Sequence, residues 1–334
     1  MLALAAAASS VAHADEALIA AAKKEGEVVW YTTQIVNQVV EPMKKAFEAR
    51  YGVKVNYLRG NGSDTAIRVL NEVKAGRPVC DVFDGPSTSA IIQAERDDIV
   101  LQWVPDEAKT FPKGAVDPNH YWVATYMIVV APAYNTDQVK PGEEPKNFED
   151  LLAPKWKGKM AWSASNSSPS GTSFVGLMLD HYGEQKGMDY LRKLATQNIA
   201  NLAVASRQVL DLTISSEYPI GLQISSHSIL ETRRQGAPVQ WIPMSPAAVN
   251  SSNMSISMKA PHPNAAKLLM EFLVSAEGQT LYREGGYIPA NPKVAPLEPK
   301  LVADRDDYRG ISYTPEVLAK KLPEWNKVFQ DLFK

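Results

Sequence analysis

Short apolar runs that end in hydroxyl-rich turns alternate along this chain with segments of helical spacing, and that alternation restricts the fold to α/β layers. Val28-Val29-Trp30-Tyr31 is a strand-length run ending in Thr32-Thr33-Gln34, and Val40, Met43 and Phe47 follow at helical spacing. Gly52 closes that helix and Val53-Lys54-Val55-Asn56-Tyr57 reads as the next strand. Ser63 or Asp64 caps a helix carrying Ile67, Leu70 and Val73, which stops at Gly76. Asp81-Val82-Phe83 is a strand, and Gly85-Pro86-Ser87-Thr88 opens another helix. Met127 to Val130, Met160 to Trp162, Ile220 to Ile224 and Ser255 to Met258 read as further strands. Helical spacing resumes at Phe174 and again from Pro263 towards Gly278, and Pro315 to Phe333 reads as a helix pair broken at Pro323.

Four of the polar turns sit between a strand and a helix: Thr32-Thr33, Ser87-Thr88, Ser170-Gly171-Thr172 and Ser226-His227. In doubly wound sheets, ligands lie beyond the carboxyl ends of the strands. Helix N-termini there present unpaired N–H groups and partial positive charge, and hydroxyls add donors without net charge. The combination suits a carboxylate, phosphate or phosphonate. Tyr31 lies at the same end of its strand, where its hydroxyl is expected to reach the ligand.

At 334 residues the chain is long enough for two lobes of ~150 residues each. The first residues, MLALAAAASSVAHA, are apolar and end in Ala12-His13-Ala14 before Asp15-Glu16, which reads as a signal-peptidase site. Residues 1–14 are therefore expected to be the remnant of a signal peptide whose basic start is missing. Cys80 is the only cysteine and lies in an apolar run. It excludes an internal disulfide, reads as a small buried hydrophobe, and leaves no lipid-anchoring cysteine at the cleavage site. No later run of ~20 apolar residues follows, so no membrane insertion is expected.

The net charge of −2 gives no basic excess for nucleic acid. No G-x-S-x-G, H-E-x-x-H, C-x-x-C, P-loop or G-x-G-x-x-G pattern occurs, and His120, His181, His227 and His262 lack metal-ligand spacing. Neither a cofactor nor a resident metal is expected.

Several segments carry a resemblance. Gly26-Glu27-Val28-Val29-Trp30-Tyr31, Cys80-Asp81-Val82-Phe83, the run Asp150-Leu151-Leu152-Ala153-Pro154-Lys155-Trp156-Lys157-Gly158-Lys159, Pro261-His262-Pro263-Asn264, and Gly286-Tyr287-Ile288-Pro289 occur in order. Together they resemble the iron(III)-type solute-binding proteins of ABC importers, which have the type 2 periplasmic-binding-protein fold. The resemblance implies two lobes joined by crossing strands, each a sheet flanked by helices, with the ligand cleft between them. Residues 15–124 and 250–300 are expected to form one lobe, and 125–249 and 301–334 the other.

Ferric-binding members of that family carry a histidine, a glutamate and an adjacent tyrosine pair where this chain has Ile35, Pro86 and Ser226-His227. Fe(III) requires anionic oxygen ligands, which those residues do not supply. The family's anion-holding turn is matched by Ser170-Gly171-Thr172, and Ser206 and Arg207 fall near another cleft position, where the guanidinium can pair with an acidic group. The expected function is that of a soluble, monomeric periplasmic receptor delivering a small anionic organic solute to an ABC importer permease. A ferric iron or iron-chelate receptor is the alternative within transport, and an enzyme on the same two-lobed scaffold is the alternative from another class.

Overall fold

The computed structural model describes residues 15–60, 64–85, 98–112, 114–164, 170–302, 308–313 and 315–333. The signal remnant and the Ser87-Thr88 turn lie outside the described residues. The first part of the chain runs α1 (Glu16–Glu25), β1 (Glu27–Thr32), α2 (Glu41–Tyr51), β2 (Lys54–Arg59), α3 (Asp64–Lys74), β3 (Val82–Gly85) and β4 (Val123–Asn135). The middle runs β5 (Met160–Ser163), α4 (Ser170–Tyr182), α5 (Glu184–Ala195), β6 (Ala200–Leu202), α6 (Ser206–Ile214), β7 (Ile220–Ser225), α7 (Ser226–Arg234) and β8 (Val239–Trp241). The last part runs β9 (Ala247–Ile256), α8 (Pro263–Val274), α9 (Ala276–Glu284), β10 (Ile288–Pro289), β11 (Gly310–Ile311) and α10 (Pro315–Phe333).

The strands join in the order β2-β1-β3-β9-β4-β7-β5-β6, with β8 and β10 added to β4 and β11 to β9. β1, β2 and β3 are mutually parallel, as are β5, β6 and β7. Antiparallel β4 and β9 tie the two parallel groups together. Parallel strands are covered on both faces, and β1 shows why its residues suit that place. Val28 and Trp30 enter one core with Met43, Phe47, Leu269 and Phe272, while Tyr31 enters another with Ala66, Val69 and Phe83. Gly52 ends α2 at φ +67°, a left-handed conformation that glycine adopts without a Cβ clash.

The second parallel group has its own core around Trp162, Phe174, Met178 and Leu191. α10 packs there through Trp325, Phe329 and Phe333. The fold is thus the two-lobed α/β arrangement expected from the sequence. Several elements differ in extent, β4 among them, which runs Val123–Asn135 rather than Met127 to Val130. β9 begins at Ala247 rather than near Ser255, because its polar Asn250-Ser251-Ser252-Asn253 segment is stitched to β4 by backbone bonds. The helix after Pro263 stops at Val274, and Ser275 caps a new helix by accepting from the Gly278 N–H. The C-terminal stretch is one helix with exposed Pro323 inside it, held on both sides of the proline by apolar residues packed on α4.

Pro132 also has a visible consequence. It has no N–H to give, and the β4–β7 ladder skips it: Ala131 pairs with Ile224 and Ala133 with Gly221. Leu222 and Gln223 bulge opposite it, with Gln223 at φ +56°. Cys80 is buried as expected, and burial pushes its thiol up. Among the described residues no helix is long and apolar enough to cross a membrane.

Candidate functional site between the lobes

Strand direction places the site. β3 is antiparallel to β9, and β9 to β4, so β3 points the same way as β4. β7 is antiparallel to β4 and points back. The carboxyl ends of the two parallel groups therefore face each other. β3 ends at Gly85, which pairs with Asn253, itself opposite Ala124. β7 ends at Ser225, opposite Val130. The stretch of β4 between Ala124 and Val130 bridges the gap, about 20 Å at ~3.3 Å per residue, and forms its floor with β9.

On the first lobe's wall, Asp84 organises the turn after β1. It is fully buried and accepts four hydrogen bonds, from Trp30 Nε1 at 3.1 Å, Thr32 Oγ1 at 2.5 Å, Thr33 N at 2.8 Å and Thr33 Oγ1 at 2.6 Å. Burial raises its carboxyl pKa, and the four donors work against that rise. The Thr32 and Thr33 hydroxyls thus stand at the expected end of β1, but they are turned inward onto a carboxylate. Tyr31 does not face the gap. Alternation sends its ring to the opposite face, where its hydroxyl donates to Glu72 Oε1 at 2.7 Å and burial, with that bond, raises its pKa to about 12.

On the floor, Tyr126 packs against Tyr282 at 5.1 Å and Tyr287 at 4.3 Å between ring centroids. Tyr287 in turn stacks on His227 at 4.6 Å and 18°. Register explains this meeting of distant residues. β10 and β7 lie end to end along one edge of β4, at Met127 and Val130. Tyr287 precedes β10 and His227 follows β7, so their rings meet across the gap. Burial first, and then the Arg207 charge, lower the His227 pKa to about 4, so the ring is neutral at physiological pH. Burial raises the phenols of Tyr126, Tyr282 and Tyr287 and keeps them protonated.

The second lobe's wall carries helix starts. α4, α6 and α7 follow the parallel strands β5, β6 and β7 and begin at the same edge. α6 starts after Ala205, which has no hydroxyl, and the Ser225 side chain does not cap α7. Ser206 Oγ donates to the Gln223 carbonyl at 3.2 Å. Arg207 is exposed and ion-paired with Asp211 at 3.0 Å and Glu231 at 3.6 Å. Ser226 is buried at the first position of α7. In the Ser170-Gly171-Thr172 turn, α10 covers the last two residues. A Cβ on Gly171 would lie 2.1 Å from the Phe329 ring, and Thr172 Oγ1 donates to Asn326 Oδ1 at 3.3 Å.

The structure therefore gathers Thr32, Thr33, Ser206, Arg207, Ser226 and His227 around the gap, with Ser170 at the start of α4. It places Tyr31 behind the wall. Sequence reasoning missed Asp84, Gln34, Tyr126 and Tyr287. Asp84 carried a signal, a carboxylate at the carboxyl end of an apolar run, but the tyrosines belong to separate segments joined only by register. Among the described residues, no three His, Cys, Asp or Glu side chains are grouped to hold a metal ion.

The model of the family described as bacterial extracellular solute-binding protein matches residues 6–288. Iron uptake protein A1 of Synechocystis is 26% identical over 291 residues, covering 81% of this chain and 79% of its own. Among solved structures, iron-bound HitA from Pseudomonas aeruginosa superposes with a TM-score of 0.75 at 18% identity, covering 92% of this chain and 99% of its own. The periplasmic binding protein AfuA from Actinobacillus pleuropneumoniae, with fructose-6-phosphate bound, gives a TM-score of 0.73 at 21% identity, covering 92% and 98%.

Proposed function

Because the chain belongs to the bacterial extracellular solute-binding proteins, we propose that it is the cargo receptor of an ABC importer and closes its two lobes over a small organic anion. A sugar phosphate, a phosphonate or a carboxylate fits this reading. One observation carries it: at the edge of the second lobe that faces the first, neither N-cap side chain, that of Ala205 before α6 or Ser225 before α7, caps its helix, while Gln208 Oε1 holds the Ala205 N–H at 3.0 Å. The first-turn N–H groups and dipoles of α6 and α7 attract an acidic group. Arg207 at the start of α6 adds a guanidinium that can exchange its solvent-exposed carboxylate partners for the cargo. The remainder of the proposal follows the family. The mature protein starts near Asp15, works in the periplasm as a soluble monomer, and meets a membrane permease. Its lobes comprise 15–124 with 250–300, and 125–249 with 301–334. It binds its cargo without converting it.

Ferric iron is the second reading, supported by the names of the Synechocystis and Pseudomonas relatives. The donor set at the gap favours the organic anion instead. Asp84 already accepts four hydrogen bonds, and burial keeps the floor tyrosines as neutral phenols. Iron would have to arrive with its own chelator.

A thermal-shift screen of the chain from Asp15 tests this. A ligand that binds only the folded state raises the melting temperature, by about 2.7 kcal/mol of stabilisation at a hundredfold excess over Kd. Shifts with sugar phosphates, phosphonates or carboxylates support the proposal. A shift with ferric citrate or ferric chloride alone overturns it in favour of iron.

A further inference from the structure

Among the described residues, the floor of the gap and its rim hold a concentration of buried polar atoms without a hydrogen-bond partner. They are Gln34 Nε2 and Oε1, Gln38 Oε1, Ser252 Oγ, the Tyr282 hydroxyl and His227 Nδ1. Gln34 is 1% exposed and Ser252 5%. They form one group. Ser252 pairs with Tyr126 across the β4–β9 ladder, its hydroxyl beside the Tyr126 phenol without a bond of normal geometry, and Tyr126 packs on Tyr282 and Tyr287. The Tyr282 hydroxyl lies beside Thr125 and Gln34 without a bond of normal geometry. The Gln38 backbone borders the Gly285 turn that delivers Tyr287 to His227.

Buried polar groups are nearly always paired, because an orphan keeps its desolvation cost without return. Five of these atoms belong to the first lobe and His227 Nδ1 to the second, so closing the lobes on one another is unfavourable there unless something supplies their partners. Their chemistry defines the supplier. None is charged. The Gln34 amide and the two hydroxyls include both donors and acceptors. A hydroxyl group, which donates and accepts, complements such a set; a bare inorganic anion, a metal ion or an alkyl chain does not.

We propose that the seam between Tyr287 and His227 is a hydroxyl-recognising subsite, and that the cargo is a polyhydroxylated organic acid. Its hydroxyls pair with Gln34, Gln38, Ser252 and Tyr282, while its acidic group lies on the second lobe. The second half of this statement rests on the function proposed above; the subsite does not.

Calorimetric titration of matched pairs tests it: fructose 6-phosphate against hexyl phosphate, glycerol 3-phosphate against propyl phosphate, gluconate against hexanoate, with free fructose and glycerol alongside. A hydroxylated acid is expected to bind at least about 100-fold more tightly than its alkyl partner, a lower bound set against the roughly 10⁴–10⁵-fold discrimination of sites built to bond a hydroxyl. Gln34→Leu and Ser252→Ala are expected to erase most of that ratio. Without cargo, the same variants should melt at the same temperature as the parent or higher, since replacing an orphan polar group by an apolar one removes its desolvation cost. Alkyl acids binding as tightly as hydroxylated ones would overturn the subsite and leave the anion reading standing. Neutral polyols binding while every acid fails would keep the subsite and overturn the anion. A melting temperature lowered by several degrees in cargo-free Gln34→Leu would show that its amide is already paired, and would overturn the subsite, as would failure of every compound to bind.

Discussion

At the residue scale, Asp84 and His227 lie on opposite sides of the gap and respond oppositely to pH. The Asp84 pKa is raised from 3.8. Its contribution to stability is complete below that value and is lost as pH climbs through the folded value. Asp84→Asn turns an amide N–H towards groups that are all donors. It is expected to destabilise by about 3 kcal/mol, read as a lower denaturation midpoint at pH 7. A change under ~0.5 kcal/mol would mean that the threonine hydroxyls reorient freely. The His227 pKa is lowered from 6.5 to about 4. Between those values the unfolded chain takes up a proton that the folded chain refuses. The contribution is complete above about 6.5 and is lost as pH falls towards about 4. His227→Phe keeps a ring on Tyr287 and removes the titration. Melting curves at pH 7 and 4.5 should show a smaller acid loss in the variant than in the parent; equal losses would place the acid sensitivity elsewhere.

At the element scale, the contact that shapes the second lobe is α10 against α4. The two meet so closely that a Cβ on Gly176 would lie 2.6 Å from the Trp325 ring. Gly176→Ala is expected to cost about 1–3 kcal/mol through overpacking, despite the gain in helix propensity. Paired with Trp325→Phe, which gives way at that spot, the loss should shrink; additive losses in the double variant would show that the two residues act independently. Pro323 poses the reverse case. It lies exposed within α10, so Pro323→Ala should raise stability by up to ~3 kcal/mol. A loss would mean that a proline bend helps α10 follow α4. A proline lacks the N–H that continues a helix, which predicts a break at Pro323; the apolar face that continues past it keeps α10 whole.

At the scale of the whole molecule, β4 and β9 are the two strands that run through both halves of the sheet. Relative motion of the halves must be absorbed there, and β4 bridges the gap with no more than one strand's width on each side. Hinge closure over cargo is therefore expected to shrink the molecule. Small-angle scattering should show a lower radius of gyration once the best ligand from the thermal-shift panel is added at saturation. An unchanged radius with bound cargo would mean that the lobes do not move.

Much of the fold was legible because local chemistry dictated it. Val28 to Tyr31 could only be a strand buried on both faces, Gly52 could stop a helix at positive φ, and the hydroxyl turns marked where strands feed helices. Those features depend on neighbours in sequence. The site was legible only at its edges. Thr32 and Thr33 could be placed at the mouth of β1, but nothing near them in sequence announced that Asp84 would draw their hydroxyls inward. A tyrosine hydroxyl at the end of β1 suits a ligand, but the pleat of β1 and the bond to Glu72 hold Tyr31 behind the wall. His227 is marked by its strand-to-helix turn, but nothing near Tyr126, Tyr287 and His227 in sequence announces that the three rings meet. They meet because β10 and β7 share one edge of β4, and register between distant strands is decided by packing of the whole sheet. The chain by itself therefore determined its alternating elements and its two halves, since each strand and helix follows from the period of its own residues. The tertiary structure decided which polar groups face the gap, because that depends on which strands lie side by side and on what is buried between them.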